Sequence, residues 1–175
     1  MGWGAYGKIP ALGDFVRIGL PQGFAGPWDE WLQKGMIDAR RRFGTEFGPH
    51  YNVAPVWRFA LSPGLAGPAA AGVLIPSVDR VGRTFPLTLV AAVRGAAPDP
   101  SGASGMAEAE EAALDALDPS SGPEALRAAL GALEVPEGPP APPGALFWTE
   151  GRRFHDPALE PGRLADLLLG HAEAL

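Results

Sequence analysis

Ser62, Ser77, His50, His155 and Asp79 supply the residue types of a nucleophile, a base and an orienting acid, the set from which a Ser-His-Asp hydrolase is built. Their spacing does not support that chemistry. Neither serine lies in a G-x-S-x-G elbow, and nothing in the order of residues brings a base to a nucleophile. The three histidines have no i,i+4 partner and no H-E-x-x-H context, and the chain has no cysteine. Thiolate zinc sites, cysteine nucleophiles and disulfides are thereby excluded, and no metal or cofactor is expected. The "GRT" after Val81 lacks the earlier glycine and the lysine of a phosphate cradle. The chain reads as a non-enzyme.

A denser concentration of chemistry lies in "IPSVDRVGRTFPL", residues 75–87, where Asp79, Arg80 and Arg83 stand between two apolar, strand-like runs. Two readings of this tip are open. Asp79 pairs with one arginine and fixes the turn, with Gly82 supplying a positive φ. Alternatively the arginine forks face outward and grip an acidic or phosphorylated partner.

The elements that must carry this tip are legible from periodicity. "GAYGKIP" reads as a short edge strand and "ALGDFVRIGLPQGFAG" as a glycine-punctuated loop. "PWDEWLQKGMIDARRRFG" reads as a helix, with Pro27 at its first position, Asp29 and Glu30 near its positive end, and Gly44 as its stop. Trp28, Trp31, Leu32, Met36 and Ala39 form its apolar stripe. "VWRFALS", "AGVLIPS" and "TFPLTLVAAVR" read as an antiparallel meander, because neither connection has room for a crossover helix. In the last, Phe85, Leu87, Leu89, Ala91 and Val93 fall on one face. Two Ala/Leu-rich helices follow; the second has Ser121 and Glu124 at capping-box spacing, and Leu126, Ala129, Leu130 and Leu133 on its stripe. Pro/Gly-rich linkers are expected near 95–105 and 135–144. "ALFWTEG" reads as a strand pairing with "RRFHD", and a last helix carries Leu164, Leu167, Leu168 and His171 on one side.

These elements imply a single α/β domain of the α+β type over residues 1–175, a sandwich with a central, mainly antiparallel sheet flanked by helices. Its core is expected to contain most of Trp28, Trp31, Leu32, Phe59, Leu74, Leu87, Leu89 and Trp148. The tryptophans read first as core anchors, with a partly exposed hot spot as the sharper alternative.

The net charge of -6 argues against nucleic-acid binding. Its distribution is uneven: residues 1–100 hold ten Lys/Arg against seven Asp/Glu, residues 101–175 four against thirteen. Such asymmetry suits protein–protein docking. No signal peptide is expected from "MGWGAYGKIP", and no apolar run approaches the roughly 20 residues that span a bilayer, so no membrane insertion and a cytoplasmic location are expected.

"YGKIPALGDFVRIGLPQGFAGPWDEWLQ", "VWRFALSPG", "AGVLIPSVDRVGRTFPLTL" and the late "FWTEG" together resemble the TagF (ImpM) family of type VI secretion-associated proteins. The match runs in order across most of the chain and is weakest over residues 95–143. The resemblance implies an α/β sandwich around an antiparallel sheet and a regulatory, non-catalytic role. It implies post-translational repression of type VI secretion through the forkhead-associated scaffold protein of that system. Some relatives are fused to a PppA-like phosphatase domain; without that extension no phosphatase activity is expected here. Carried over as motif positions are Asp14, Arg17, Ser77, Asp79, Arg80 and Arg83, candidates for partner binding, and Trp28, Trp31, Trp57, Arg58 and Gly82, candidates for bracing the fold. The competing functions are a structural accessory subunit of the secretion apparatus and a small hydrolase or phosphatase-like enzyme.

Overall fold

In the computed structural model, which describes residues 2–168, seven strands form one sheet. They are β1 (Trp3–Gly7), β2 (Val16–Ile18), β3 (Trp57–Leu61), β4 (Ala70–Ile75), β5 (Leu87–Ala92), β6 (Ala145–Thr149) and β7 (Arg152–Asp156). The order is β2-β1-β5-β4-β3-β6-β7, and each neighbouring pair is antiparallel. The meander β3–β4–β5 is at its centre, as the short connections require.

Period-two alternation sends side chains to two separate cores. Trp57, Phe59, Leu61, Leu74, Val90 and Phe147 face the helices α1 (Ala25–Phe43), α2 (Phe47–Asn52) and α5 (Gly162–Leu168). Ala60, Val73, Ile75, Leu87, Leu89 and Ala91 face α3 (Met106–Ala116) and α4 (Pro123–Gly131). With helices on both sides, β4 is buried at all six positions. The stripe of α1 seats on the first face: Trp28 lies 4.8 Å from both Phe59 and Trp31, and Trp31 stacks on Phe147 at 5.6 Å. The indole of Trp28, fully buried, donates to the Thr88 hydroxyl at 2.8 Å, so the polar atom carried into this core keeps a partner.

Several local expectations are corrected. β1 is not an edge strand; it pairs with β5 on one side and with β2 on the other. β2 falls inside the segment read as a loop. α1 begins at Ala25 rather than Pro27, which moves Asp29 and Glu30 out of its first turn. Asp29 accepts the Tyr6 hydroxyl instead, and Glu30 pairs with Lys34. The Ser121–Glu124 capping box does not form: Gly122 is the N-cap of α4 and no side chain bonds there. Phe85 precedes β5 and turns to the opposite core from Leu87, Leu89, Ala91 and Val93. Trp148 is half-buried rather than core, with the Arg58 guanidinium 4.8 Å from its ring centre. Helix α2 has no counterpart in the periodicity analysis, and His171 lies outside the described residues.

Residues 97–104 and 137–141 run against each other through main-chain bonds. The Asp99 N–H donates to the Pro139 carbonyl at 2.7 Å and the Ala141 N–H to the Ala97 carbonyl at 2.8 Å. Arg58 of β3 ties this segment to the sheet through its bond to the Pro100 carbonyl at 3.2 Å, and ties α3 to it through Glu110 at 2.6 Å.

Candidate functional site

The turn between β4 and β5 is organised around one carboxylate. The Asp79 side chain has no solvent exposure and accepts four N–H groups. Its Oδ1 takes the amides of Val81 at 3.0 Å and Arg83 at 2.9 Å; its Oδ2 takes Arg83 Nε at 2.7 Å and Lys8 Nζ at 3.1 Å. Burial pushes this carboxyl up, but the Arg83 amide and the Lys8 and Arg83 side chains together hold it well below the usual carboxylate range. Gly82 adopts φ 88°, and its N–H closes the turn on the Asp79 carbonyl at 3.0 Å. A glycine is needed at that conformation.

The turn is also anchored to the loop before β2. The Arg80 N–H donates to the Leu12 carbonyl at 2.8 Å, and Arg83 Nη2 donates to the Gly13 carbonyl at 2.9 Å. The Arg80 guanidinium lies over Gly13, so close that a Cβ there would stand 3.1 Å from its Nη2. Both arginine ends therefore converge on one glycine. Lys8 joins the two loops: it pairs with Asp79 and sits 5.1 Å from the centre of the Phe15 ring. Phe15 in turn stacks on Tyr6 at 5.8 Å and meets Phe85 edge-on at 5.0 Å. Arg17 lies 5.9 Å from the Tyr6 ring. Burial, and then the Asp29 carboxylate that accepts its hydroxyl, push the Tyr6 phenol up.

The motif residues accordingly divide. Asp14, Arg17, Arg80 and Arg83 are exposed, whereas Ser77 and Asp79 are buried. The Ser77 hydroxyl donates to the Lys8 carbonyl at 2.7 Å, and its main chain is held by Tyr51. Trp28, Trp31 and Trp57 are buried. The indoles of Trp31 and Trp57 donate to the carbonyls of Glu160 and Leu167 at 2.9 and 3.0 Å.

The hydrolase set is not assembled. The Ser62 hydroxyl accepts the Gly144 N–H at 2.8 Å, His155 Nε2 lies 2.6 Å from the Pro143 carbonyl, and Asp79 serves Lys8 and Arg83. Among the described residues no group of three or more His, Asp or Glu converges as a metal site, and no helix is long and apolar enough to cross a membrane.

Three residues of this site escaped the sequence reading. Lys8 carries no local signal, since it meets Asp79 across 71 positions of chain. Tyr51 sits on the unforeseen α2. Arg40, which donates to the Thr84 hydroxyl at 2.7 Å, was read as part of a helix terminus.

Comparison with known proteins adds the following. The model of the TagF N-terminal domain, described as type VI secretion system-associated, matches residues 4–133. The crystal structure of PA0076 from Pseudomonas aeruginosa PAO1 is similar over 99% of this chain and 96% of that one, with 30% identity and a TM-score of 0.83. No curated protein sequence matches the chain. The family match ends before β6, β7 and α5, whereas the structural match includes them.

Proposed function

Because this chain belongs to the TagF N-terminal domain family of type VI secretion-associated proteins, we propose that it represses type VI secretion post-translationally, in the cytoplasm, by binding the forkhead-associated scaffold protein of that system. The family role is regulatory and non-catalytic. Ser62, His155 and Asp79 bond to Gly144, to the Pro143 carbonyl and to Lys8 and Arg83.

The observation that carries the proposal is the continuity of the motif surface. From Arg17 an unbroken series of contacts runs through Tyr6, Phe15, Lys8 and Asp79 to Arg83, and from there to Gly13 beneath Arg80. Its inner members, Ser77 and Asp79, fix the loops; its outer members, Asp14, Arg17, Arg80 and Arg83, remain open to a partner. A rigid, charged surface of this kind serves recognition, because its side chains lose little freedom on binding.

The test is affinity capture of the tagged protein from bacteria running a type VI system, with secretion measured in parallel. The scaffold protein should be recovered and secretion should drop when the protein is overproduced. Recovery of stoichiometric sheath or baseplate without the scaffold would overturn the reading in favour of a structural subunit.

A further inference from the structure

We propose that the surface around Gly13 docks an acidic segment of a partner protein carrying one apolar side chain, with Arg17 and Arg80 binding its carboxylates and Phe15 and Val81 seating its apolar group. The inference rests on the reading that this end of the molecule is the partner face, and it names the chemistry that face accepts.

The charge is unmatched here in a specific way. Among the described residues the Arg80 guanidinium makes no hydrogen bond or ion pair, and Arg17 has only its contact with the Tyr6 ring. Arg83 spends Nε and Nη2 on Asp79 and Gly13 yet keeps 62% of its side chain exposed. The carboxylate that holds the turn has no surface to offer. Asp79 is wholly enclosed, and Asp14 accepts the Phe15 amide at 2.7 Å. The Arg83 fork is already committed to Asp79 and Gly13, so the Arg80 guanidinium beside it offers an incoming carboxylate a planar fork without a partner, and Arg17 offers a second by the Tyr6 and Phe15 rings. The excess of acid in the chain lies in residues 101–175, four Lys/Arg against thirteen Asp/Glu, and the motif loops fall in the basic part, ten against seven. An acidic segment is therefore drawn toward the half of the sequence that carries these loops.

The apolar part has equal support. Phe15 is 36% and Val81 70% exposed, and both belong to the two loops that Lys8, Arg80 and Arg83 tie together. Phe15 is braced by Tyr6 and Phe85, with the Lys8 ammonium over its ring, so the part of the ring left exposed is held in place. A part-exposed aromatic beside a cation is the composition of an interface anchor with a polar rim.

The experiment measures binding, by fluorescence anisotropy, of a labelled peptide of about twelve residues in which glutamates surround one leucine. Comparison probes carry lysines for the glutamates or serine for the leucine, and a single-stranded DNA of similar charge stands for polyanions in general. The acidic leucine peptide should bind. Arg17→Glu with Arg80→Glu should weaken it roughly tenfold or more without changing the melting temperature, because neither guanidinium braces the fold. Serine for leucine, or Val81→Ser, should weaken it severalfold, and Arg80→Lys, which keeps the charge and loses the fork, should bind between wild type and Arg80→Glu. No binding, equal binding of the lysine peptide or of DNA, or full binding by the double variant would each overturn the proposal. Capture of the forkhead-associated scaffold by wild type and double variant alike would remove this site and leave the proposed function standing. Peptide binding that the double variant loses, with no scaffold captured by wild type, would remove that function and leave the site.

Discussion

The phenol of Tyr51 satisfies both main-chain groups of Ser77, donating to its carbonyl at 2.7 Å and accepting its amide at 2.8 Å. A side chain from a six-residue helix thus replaces a strand neighbour at the point where β4 has ended. Tyr51→Phe leaves the buried Ser77 N–H without a partner, while the Ser77 carbonyl keeps the Phe85 amide at 3.1 Å. The expected cost is about 1–3 kcal/mol, read from urea unfolding, with the size and shape of the site otherwise conserved.

Arg80 and Arg83 separate by stability. Arg83→Glu sets a carboxylate against the enclosed Asp79 and breaks the bridge to Gly13, so it should lower the melting temperature by several degrees. Arg80→Glu removes no bond and should leave it within about 2 °C. Equal melting temperatures for the two variants would contradict the arrangement described for the turn.

The pH dependence follows from two groups of side chains. Asp79 and Asp99 are depressed below an unfolded value of about 3.9, so the stability they contribute is complete above that value. It is lost as pH falls through their folded values. Tyr6 and Tyr51 are raised, chiefly by burial, so their contribution is complete below an unfolded value of about 10 and is lost as pH rises beyond it. Melting temperatures recorded from pH 2 to 11 should form a plateau that declines below about 4 and above about 10. Asp79→Asn should lower the plateau and flatten its acid limb. A decline centred between pH 5 and 7 would point to a different titrating group.

Thr88→Val deletes the acceptor of the Trp28 indole inside the core that faces α1. The volume is conserved, so the measured loss reports the orphaned N–H and should be about 1–3 kcal/mol. Loss of tryptophan fluorescence polarity contrast without a change in stability would argue that water replaces the hydroxyl.

Gly72→Ala tests the centre of the sheet. A Cβ at this position of β4 would meet the Leu89 carbonyl of the neighbouring strand and lie 2.6 Å from Cζ of Phe59. Backbone and packed ring cannot both yield, and the substitution should destabilise by about 1–3 kcal/mol or prevent folding.

Much of this architecture is written in short-range pattern. The meander follows from alternation and connection length, and the stripe of α1 from helical spacing. What escaped depends on partners distant in sequence. "FGPHYN" has a glycine and a proline within six residues and little intrinsic helix preference, so α2 exists because Phe47 and Tyr51 pack on the core. The three residues of β2 are too few to show alternation. Trp148 alternates outward, where Arg58 covers it. At the candidate site the fixed turn is visible in the pairing of Asp79 with Arg83, and among the described residues the Arg80 guanidinium makes no hydrogen bond or ion pair. Lys8, the third member of that network, stands inside the "YGKIP" opening, but no periodicity pairs it with Asp79.

Three tryptophans from the first third of the chain donate their indole N–H groups to carbonyls more than 100 positions later: Trp3 to Glu134, Trp31 to Glu160 and Trp57 to Leu167. Each acceptor is a main-chain oxygen, which every amino acid carries. The later segments are therefore recognised by their path and not by their side chains at these points. Side-chain changes at the exposed Glu134 and Glu160 leave the acceptor in place, whereas Leu167 is also held by its own burial in the core. At two of the three latches, then, the donor is constrained in kind and the acceptor only in position.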